Sequence, residues 1–363
     1  KLSMNTPYRP TTTDKELGFV VAALGNDELT YEKKHEFNFG VDAGFFNNRL
    51  NVTFDVYQRR NFDEIAPTVT QLYGTAYANV GSMKSWGEEL SISSTNVKTN
   101  DFSWQTSLIY SHNRTEITDL YNQGRVIDLV QGNGFAKQGY PARALFSIPF
   151  VGINEKGNPV CINEKGQATV GDLNFQERNN TDYLIYEGST DPIYNGSLGN
   201  TFNYKGFHLN LFLTYAFGNV VRLDPVFKAK YNDLTSMNHD FKNRWMQPGD
   251  ENVTNVPGVV SRYEYEQNRT LLSTAYNAYN YTSVRTAKGD FIRLKEISLA
   301  YDFPHRWLEN SPVNNISLKL QATNLMLLYA DKKLNGQDPE FMNAGGVASP
   351  MPKQFTLTLK LGL

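Results

Sequence analysis

The sequence predicts an all-β fold: a transmembrane antiparallel up-and-down β-barrel, of which this chain supplies about nine strands. Three observations predict it. Apolar and polar residues alternate over stretches long enough to cross a bilayer. Aromatic residues gather near the ends of those stretches, and the connections between them alternate between short and long. Composition agrees. Among 363 residues 20 % are charged and the formal net charge is −2, yet Tyr 21, Phe 22 and Trp 4 bring the aromatics to 13 %. Mean hydropathy is only −0.48, and Asn alone contributes 38 residues. Disordered chains are poor in aromatic and β-branched residues. A helical span needs roughly 20 apolar residues in a row, whereas the longest runs, Phe19–Leu24 and Leu325–Ala330, have six. Near-neutral charge leaves no basic footprint for nucleic acid. Cys161 is the only cysteine, so no intrachain disulfide framework exists. With no initiator Met and no charged-then-apolar leader, the chain is expected to begin mid-protein or after processing. A polar average hiding many aromatics arises when each strand averages a lipid face against a water face.

The elements follow in order. From His35 to Phe45, the residues Phe37, Phe39, Val41, Ala43 and Phe45 share one face, and Glu36, Asn38, Gly40, Asp42 and Gly44 share the other. Asn47-Asn48 makes a tight turn, because Asn tolerates the positive φ that hairpins demand. Leu50, Val52, Phe54 and Val56 then oppose Asn51, Thr53, Asp55 and Tyr57. Strands near 84–95, 102–113 and 197–205 alternate less strictly, as does 290–303. Phe207 to Phe217 is the cleanest case, with Leu209, Leu211, Leu213 and Tyr215 against His208, Asn210, Phe212 and Thr214. Ile316, Leu318 and Leu320 oppose Ser317, Lys319 and Gln321. The last strand sets Phe355, Leu357, Leu359 and Leu361 against Thr356, Thr358, Lys360 and Gly362.

A soluble sandwich also alternates, but its strands run roughly 5–6 residues. Several here approach or exceed the roughly 9–11 that a tilted strand needs to cross a bilayer. Trp86, Trp104, Tyr110, Tyr215, Phe217 and Phe303 sit where interfacial belts would place them. Connections near 46–49, 96–101, 205–206 and 304–313 are short. Those near 61–83, 114–196, 219–289 and 329–352 are long, as in barrels with short periplasmic turns and long extracellular loops. An odd number of strands puts the first and last parallel, so this segment cannot close on itself. Open edges are not tolerated in lipid, so further strands are expected outside it, and residues 1–33 read as the tail of a preceding loop.

Five ordered stretches resemble the SusC/RagA-type TonB-dependent outer-membrane transporters of Bacteroidetes. They are Gly25-Asn26-Asp27-Glu28-Leu29 with Gly44-Phe45-Phe46-Asn47-Asn48-Arg49-Leu50, then Asn79-Val80-Gly81-Ser82-Met83-Lys84-Ser85-Trp86-Gly87-Glu88-Glu89-Leu90. Next come Asn203-Tyr204-Lys205-Gly206-Phe207 running into Tyr215-Ala216-Phe217-Gly218-Asn219, and Gly289-Asp290-Phe291-Ile292-Arg293-Leu294, preceded by Asn243-Arg244-Trp245. Last are Ala322-Thr323-Asn324-Leu325, Asp338-Pro339-Glu340 and Pro350-Met351-Pro352. The resemblance implies a 22-stranded barrel with an N-terminal plug, of which residues 1–363 would be the C-terminal part, without plug or TonB-interacting segment. It implies import of bulky nutrients, oligosaccharides more than oligopeptides, under a SusD-like surface lipoprotein lid, the pair dimerising. Two departures stand out. The family's calcium-binding loop corresponds to Asp172–Asp182, where Thr181-Asp182 replaces the expected Asp-Gly and Arg178 adds a positive charge, so no calcium is expected. The chain ends on aliphatic Leu363 rather than an aromatic.

No catalytic constellation emerges, and no enzyme is expected. Glu88 and Glu89 are adjacent on a strand and point to opposite faces. Glu88 shares its phase with Trp86 and Leu90, which is tolerable only near the extracellular rim. His35-Glu36 is followed by Phe39, so there is no HExxH pair, and the five histidines are scattered. Gly196-Ser197-Leu198-Gly199 is no nucleophile elbow, and Gly132-Asn133-Gly134 lacks the third glycine of a dinucleotide loop. What remains is recognition. Tyr263, Tyr265, Tyr276, Tyr279 and Tyr281 lie in the Asn-rich loop at 219–289, where tyrosines suit a sugar ring or a protein lid, or merely pack the loop on itself. Two other functions stay open on these residues: a surface adhesive barrel without transport, and a soluble β-rich carbohydrate-binding protein.

Overall fold

The structure is a computed structural model that describes residues 2–8, 16–21, 26–70, 74–231, 237–309, 312–344 and 351–362. Nine strands form one sheet: β1 (Lys33–Phe45), β2 (Leu50–Thr70), β3 (Gly74–Lys98), β4 (Phe102–Leu120), β5 (Tyr194–Tyr204), β6 (Phe207–Phe217), β7 (Phe291–Asp302), β8 (Asn315–Ala330) and β9 (Gln354–Gly362). Each pairs antiparallel with its neighbour in chain order, and β1 and β9 are the two edges. This is the up-and-down meander that the alternation predicts, with the expected nine strands. Separately, Leu2–Tyr8 pairs with Glu16–Val21 as a hairpin outside the sheet. Gly25, Pro350 and Leu363, each used in the sequence reading, lie outside the described residues.

The register carries the face assignment across the whole sheet. Phe39, Val41 and Ala43 of β1 face Val56, Phe54 and Val52 of β2, which face Glu88, Leu90 and Ile92 of β3. The same row continues through Leu108 and Tyr110, Leu198, Leu213 and Leu211, Leu299 and Leu320 to Leu357. Side chains that would be costly in water stay open along this face: Phe39 is 55 % exposed, Leu320 55 % and Leu357 69 %. Lipid is the medium that makes such a face stable. The opposite face is polar: Thr53 donates to Asp42 (2.6 Å), and Asn210 donates to Glu296 (3.4 Å).

Aromatic girdles bound the apolar band. At the short-turn end, Trp104 stacks on Phe202 (5.7 Å) and Phe207 meets Tyr301 (4.4 Å), which meets Phe303 (5.1 Å). At the other end are Tyr110 and Tyr194 (6.3 Å), Tyr215 and Phe217 (5.6 Å) and Tyr329 (6.4 Å from Phe217). From Phe207 to Phe217 the strand rises ~33 Å, or ~25 Å in height for a ~40° tilt, which matches a barrel's apolar band. Asn200 is polar within this face for a local reason. Its Oδ1 accepts from Trp104 Nε1 (2.9 Å) and Thr106 Oγ1 (2.8 Å), so the indole N–H and the hydroxyl both find an acceptor away from water. Gly196 is required where the Tyr215 ring crosses it, since a Cβ there would lie 2.0 Å from the Ile109 carbonyl and 2.6 Å from the Tyr215 hydroxyl.

The turn at 46–49 has positive φ at Phe46, Asn47 and Asn48 (54°, 54° and 60°), as its asparagines foretell. Glu88 lies at the outer girdle, 3.8 Å from His112. The predicted loop at 61–83 is a correction. β2 and β3 stay paired out to Thr70 and Gly74, so most of that stretch is a projecting hairpin. Beyond the membrane neither face meets lipid, so pairing continues while alternation lapses. A bulge at Asp63 (φ 57°) bends the ladder. Asn79 clamps segment 26–32 against it, donating to Thr30 and Asp63 carbonyls and accepting from Thr30 N–H. Gly81 of the same motif has no room for a Cβ, which would meet the Asp119 carbonyl at 2.2 Å.

Candidate functional site

The remaining long connections, 121–193, 218–290 and 331–353, all leave the sheet at the same end, and their described residues fold together into a cap. Helix α1 (Val126–Val130) and the strand Ala144–Ser147 share a core with Ile148, Cys161, Leu184 and Ala278. Val221, Leu223 and Ala287 meet Leu334 and Met342, which ties the last connection to the middle one. The middle connection contains α2 (Arg262–Gln267) and α3 (Arg269–Asn280). Its Tyr-Glu-Tyr-Glu run reads as period 2, yet it is helical. The missed signal is Ser261-x-x-Glu264, since Ser261 Oγ accepts from Glu264 N–H (3.2 Å) as a helix N-cap. α3 buries Leu272, Ala275, Tyr276 and Tyr279, which is helical i, i+3, i+4, i+7 spacing.

Buried cations staple the cap. Arg222 donates to the carbonyls of Val130 (3.2 Å), Thr282 (2.7 Å) and Phe146 (2.6 Å), and to Ser147 Oγ (3.0 Å). Burial pushes its guanidinium down to about 9 against the opposing pull of Glu187, so it remains charged at neutral pH. Arg285, also buried, pairs with Asp240 (3.0 Å) and bonds the Asp224 carbonyl (3.1 Å). At the rim, Arg293 of β7 pairs with buried Asp338 (2.5 Å) and with Glu340 (3.3 Å).

The five tyrosines part company here. Tyr276 and Tyr279 are interior, at 1 % and 2 % exposure, and cannot meet a ligand or lid in this conformation. The Tyr276 hydroxyl donates to the Gly258 carbonyl (2.5 Å), and Tyr279 packs edge-on against Phe150 (5.7 Å) and Phe227 (5.1 Å). The α3 stripe that buries them is the physical reason for this correction. Tyr263 is 80 % exposed on α2. Tyr265 shares a hydrogen bond with Ser273 (3.2 Å) and lines a shallow depression with Lys230. Tyr281, half-buried against Phe175 (6.2 Å), lines a cavity of about 430 Å³ where all three connections meet. Leu223, Pro225, Val226 and Met342 form its other apolar walls, with Gln131 and Asn133 among the polar groups. A more polar cavity of about 270 Å³ lies across the Leu223–Val226 segment, lined by Asp224, His239, Asp240 and Lys333.

In the loop Asp172–Asp182 the carboxylates diverge. Glu177 accepts from the N–H groups of Arg178, Asn179 and Asn180 (3.0, 2.8 and 3.2 Å), which hold its carboxyl below the usual range. Asp182 pairs with Lys137 (3.0 Å) and Asp172 lies 3.7 Å from Lys165. Trp245 of the Asn-Arg-Trp motif is packed by Gly157 and Gly258, and its indole N–H donates to Glu251 (3.0 Å). That bond, followed by backbone donors including Gly249 N–H, holds Glu251 below its ordinary value of 4.5. A lowered folded value means the contact stabilises above the unfolded value and is lost as pH falls through the folded one. Acid titration of Trp245 fluorescence, in a protein with the other tryptophans replaced by Phe, should show a transition below pH 4.5. Glu251→Gln should flatten it.

No protein-family model matches the sequence. The chain is 25 % identical over 381 residues to the TonB-dependent receptor P39 of Formosa agariphila, covering 92 % of this chain and 35 % of that protein. It is 25 % identical over 356 residues to the TonB-dependent receptor SusC of Bacteroides thetaiotaomicron, covering 93 % of this chain and 32 % of that one. The chain thus spans about a third of the length of these relatives. The fold matches the structure of the RagAB peptide transporter with a TM-score of 0.75 at 24 % identity, over 99 % of this chain and 38 % of the other. The two-faced nine-stranded wall and these similarities make the chain part of an outer-membrane β-barrel similar to the TonB-dependent receptors of the SusC/RagA type.

Proposed function

We propose that the chain is the C-terminal part of a barrel that imports bulky oligomeric nutrients across the outer membrane, working by binding and translocation rather than catalysis. The observation that carries this reading is the architecture itself. A wall with one lipid face and one polar face rises into a cap whose core joins three separate connections and leaves cavities at its centre. A rigid scaffold presenting structured loops is where recognition is expected. In this reading a plug and a TonB-contacting segment belong to the remainder of the protein. A SusD-like surface lipoprotein closes over the cap, and the transporter–lipoprotein pairs dimerise. The exposed Tyr263 and the half-buried Tyr265 and Tyr281 are then the aromatic residues available to ligand or lid. The ligand is an oligosaccharide or an oligopeptide, and a fold relative described as a peptide transporter makes the second a real alternative.

Deleting the gene should abolish growth on at least one member of a panel of glycans and peptides supplied as sole source. Disabling TonB should give the same loss. Wild-type growth across the panel, together with loss of adhesion to a host or polymer surface, would favour the adhesive barrel instead.

A further inference from the structure

We infer that the cavity of about 430 Å³ at the junction of the three connections is a side-chain slot for an apolar residue of a peptide ligand. The inference rests on the importer reading and narrows its substrate class. Its size falls within the ~300–1,000 Å³ usual for ligand sites, and its construction is the usual one, mostly apolar walls with a few placed polar groups. Leu223 and Met342 are buried, Val226 and Tyr281 half-buried, and Pro225 exposed at its edge. These are walls of three different shapes, branched, thioether and aromatic, drawn from two connections. Gln131 and Asn133 come from the third.

The lining separates the two ligand chemistries. A sugar ring asks for a broad open aromatic face beside several converging polar groups, because every carbon edge carries a hydroxyl that must be satisfied. Here the single aromatic, Tyr281, is already met edge-on by Phe175 (6.2 Å, 72°), and the remaining apolar walls are aliphatic. A hydroxyl pushed against them would lose its water without a partner. An apolar side chain loses nothing and gains burial. Arg222 also lines the cavity, but its guanidinium is taken up by the Val130, Thr282 and Phe146 carbonyls, and the polar groups left for a peptide main chain stand at the rim. Gln131 and Asn133 offer amides, and the Asp224 carboxylate, steadied by Gln337 Nε2 (3.0 Å), offers an acceptor for an N–H. Across the Leu223–Val226 segment the second cavity is the more polar of the two, with Asp240 and Lys333 among its lining groups. An apolar slot beside a more polar one suits a chain that carries different side chains in succession.

The test uses the full-length transporter purified in detergent with its lipoprotein. Two oligopeptides identical except for one central Leu or Ser, and a maltooligosaccharide of similar mass, serve as probes in calorimetric titration. The Leu peptide should bind roughly tenfold or more tightly than the Ser peptide. Val226→Trp, which fills the slot from a half-buried position, should erase that preference, and Val226→Ser should reduce it. Amide exchange of the cap checks that each variant stays folded. Equal affinity for the Leu and Ser peptides would overturn the slot, as would maltooligosaccharide binding that Val226→Trp abolishes. If the deletion strain loses growth on a nutrient while the Leu preference is absent, the importer reading survives and the slot does not. If the deletion strain grows normally, the importer reading fails first.

Discussion

Replacing Arg222 with Met should unlock the cap while leaving the barrel wall folded. The guanidinium ties together the end of α1, the Ala144–Ser147 strand and the segment after α3, through the Val130, Phe146 and Thr282 carbonyls. Methionine fills much of the volume but donates nothing. The Val130 and Phe146 carbonyls would then lose this donor, at ~1–3 kcal/mol for each left bare, while the Thr282 carbonyl keeps the Arg285 N–H (3.0 Å). Even with partial relaxation the sum is several kcal/mol, a large share of the ~5–15 kcal/mol that holds a whole domain. Lys is not an adequate substitute, because an ammonium is a point charge and cannot span carbonyls on separate strands as the planar fork does. Hydrogen exchange on the full-length protein should show amides at 126–148, 220–223 and 282–286 losing protection by about 100-fold or more, since 1.4 kcal/mol is tenfold. Amides of β1 to β9 should keep theirs. Unchanged cap protection in Arg222→Met would show that apolar packing alone holds the three connections.

How much of this was legible in the sequence depends on what each segment is dissolved in. Within the bilayer, lipid imposes one rule on alternate residues, so Phe207–Phe217 and Gln354–Gly362 declare their faces and lengths residue by residue. The Asn47-Asn48 turn is equally plain, because few residues accept positive φ. Beyond the membrane that constraint ends. The Asn61–Gly81 hairpin pairs without alternating. Tyr263 and Tyr265 sit on a helix whose start is announced only by Ser261 and Glu264. Tyr276 and Tyr279 show how a residue type can mislead: tyrosine suits a ligand and a core alike, and only the Leu272-Ala275-Tyr276-Tyr279 spacing separates them. The cavity walls come from residues some 90 to 210 positions apart, such as Gly132, Val226 and Met342, and no local pattern joins them.

Arg293→Met should loosen the last connection by an amount set mostly by the partner it abandons. Asp338 is fully buried and its Oδ1 meets the Arg293 Nη2 at 2.5 Å while also accepting from Glu340 N–H (3.2 Å). Taking away the cation strands a carboxylate in low dielectric, a change that costs ~3–5 kcal/mol. Glu340 cannot make up the loss, since it carries the same charge. Removing both charges, in Arg293→Met with Asp338→Leu, should recover most of the stability, because a pair replaced by apolar groups no longer pays for desolvation. The double variant therefore separates a stabilising pair from a merely obligatory one, and exchange protection at 331–344 is the readout. If the double variant is as loose as the single, the pair contributes net attraction, and the reach of Arg293 Nη2 to both Asp338 and Glu340 is its source. Either result explains why Asp290-Phe291-Ile292-Arg293-Leu294 and Asp338-Pro339-Glu340 occur in one chain. Separated by 45 residues, they are the two halves of one contact that fastens the cap to the barrel rim.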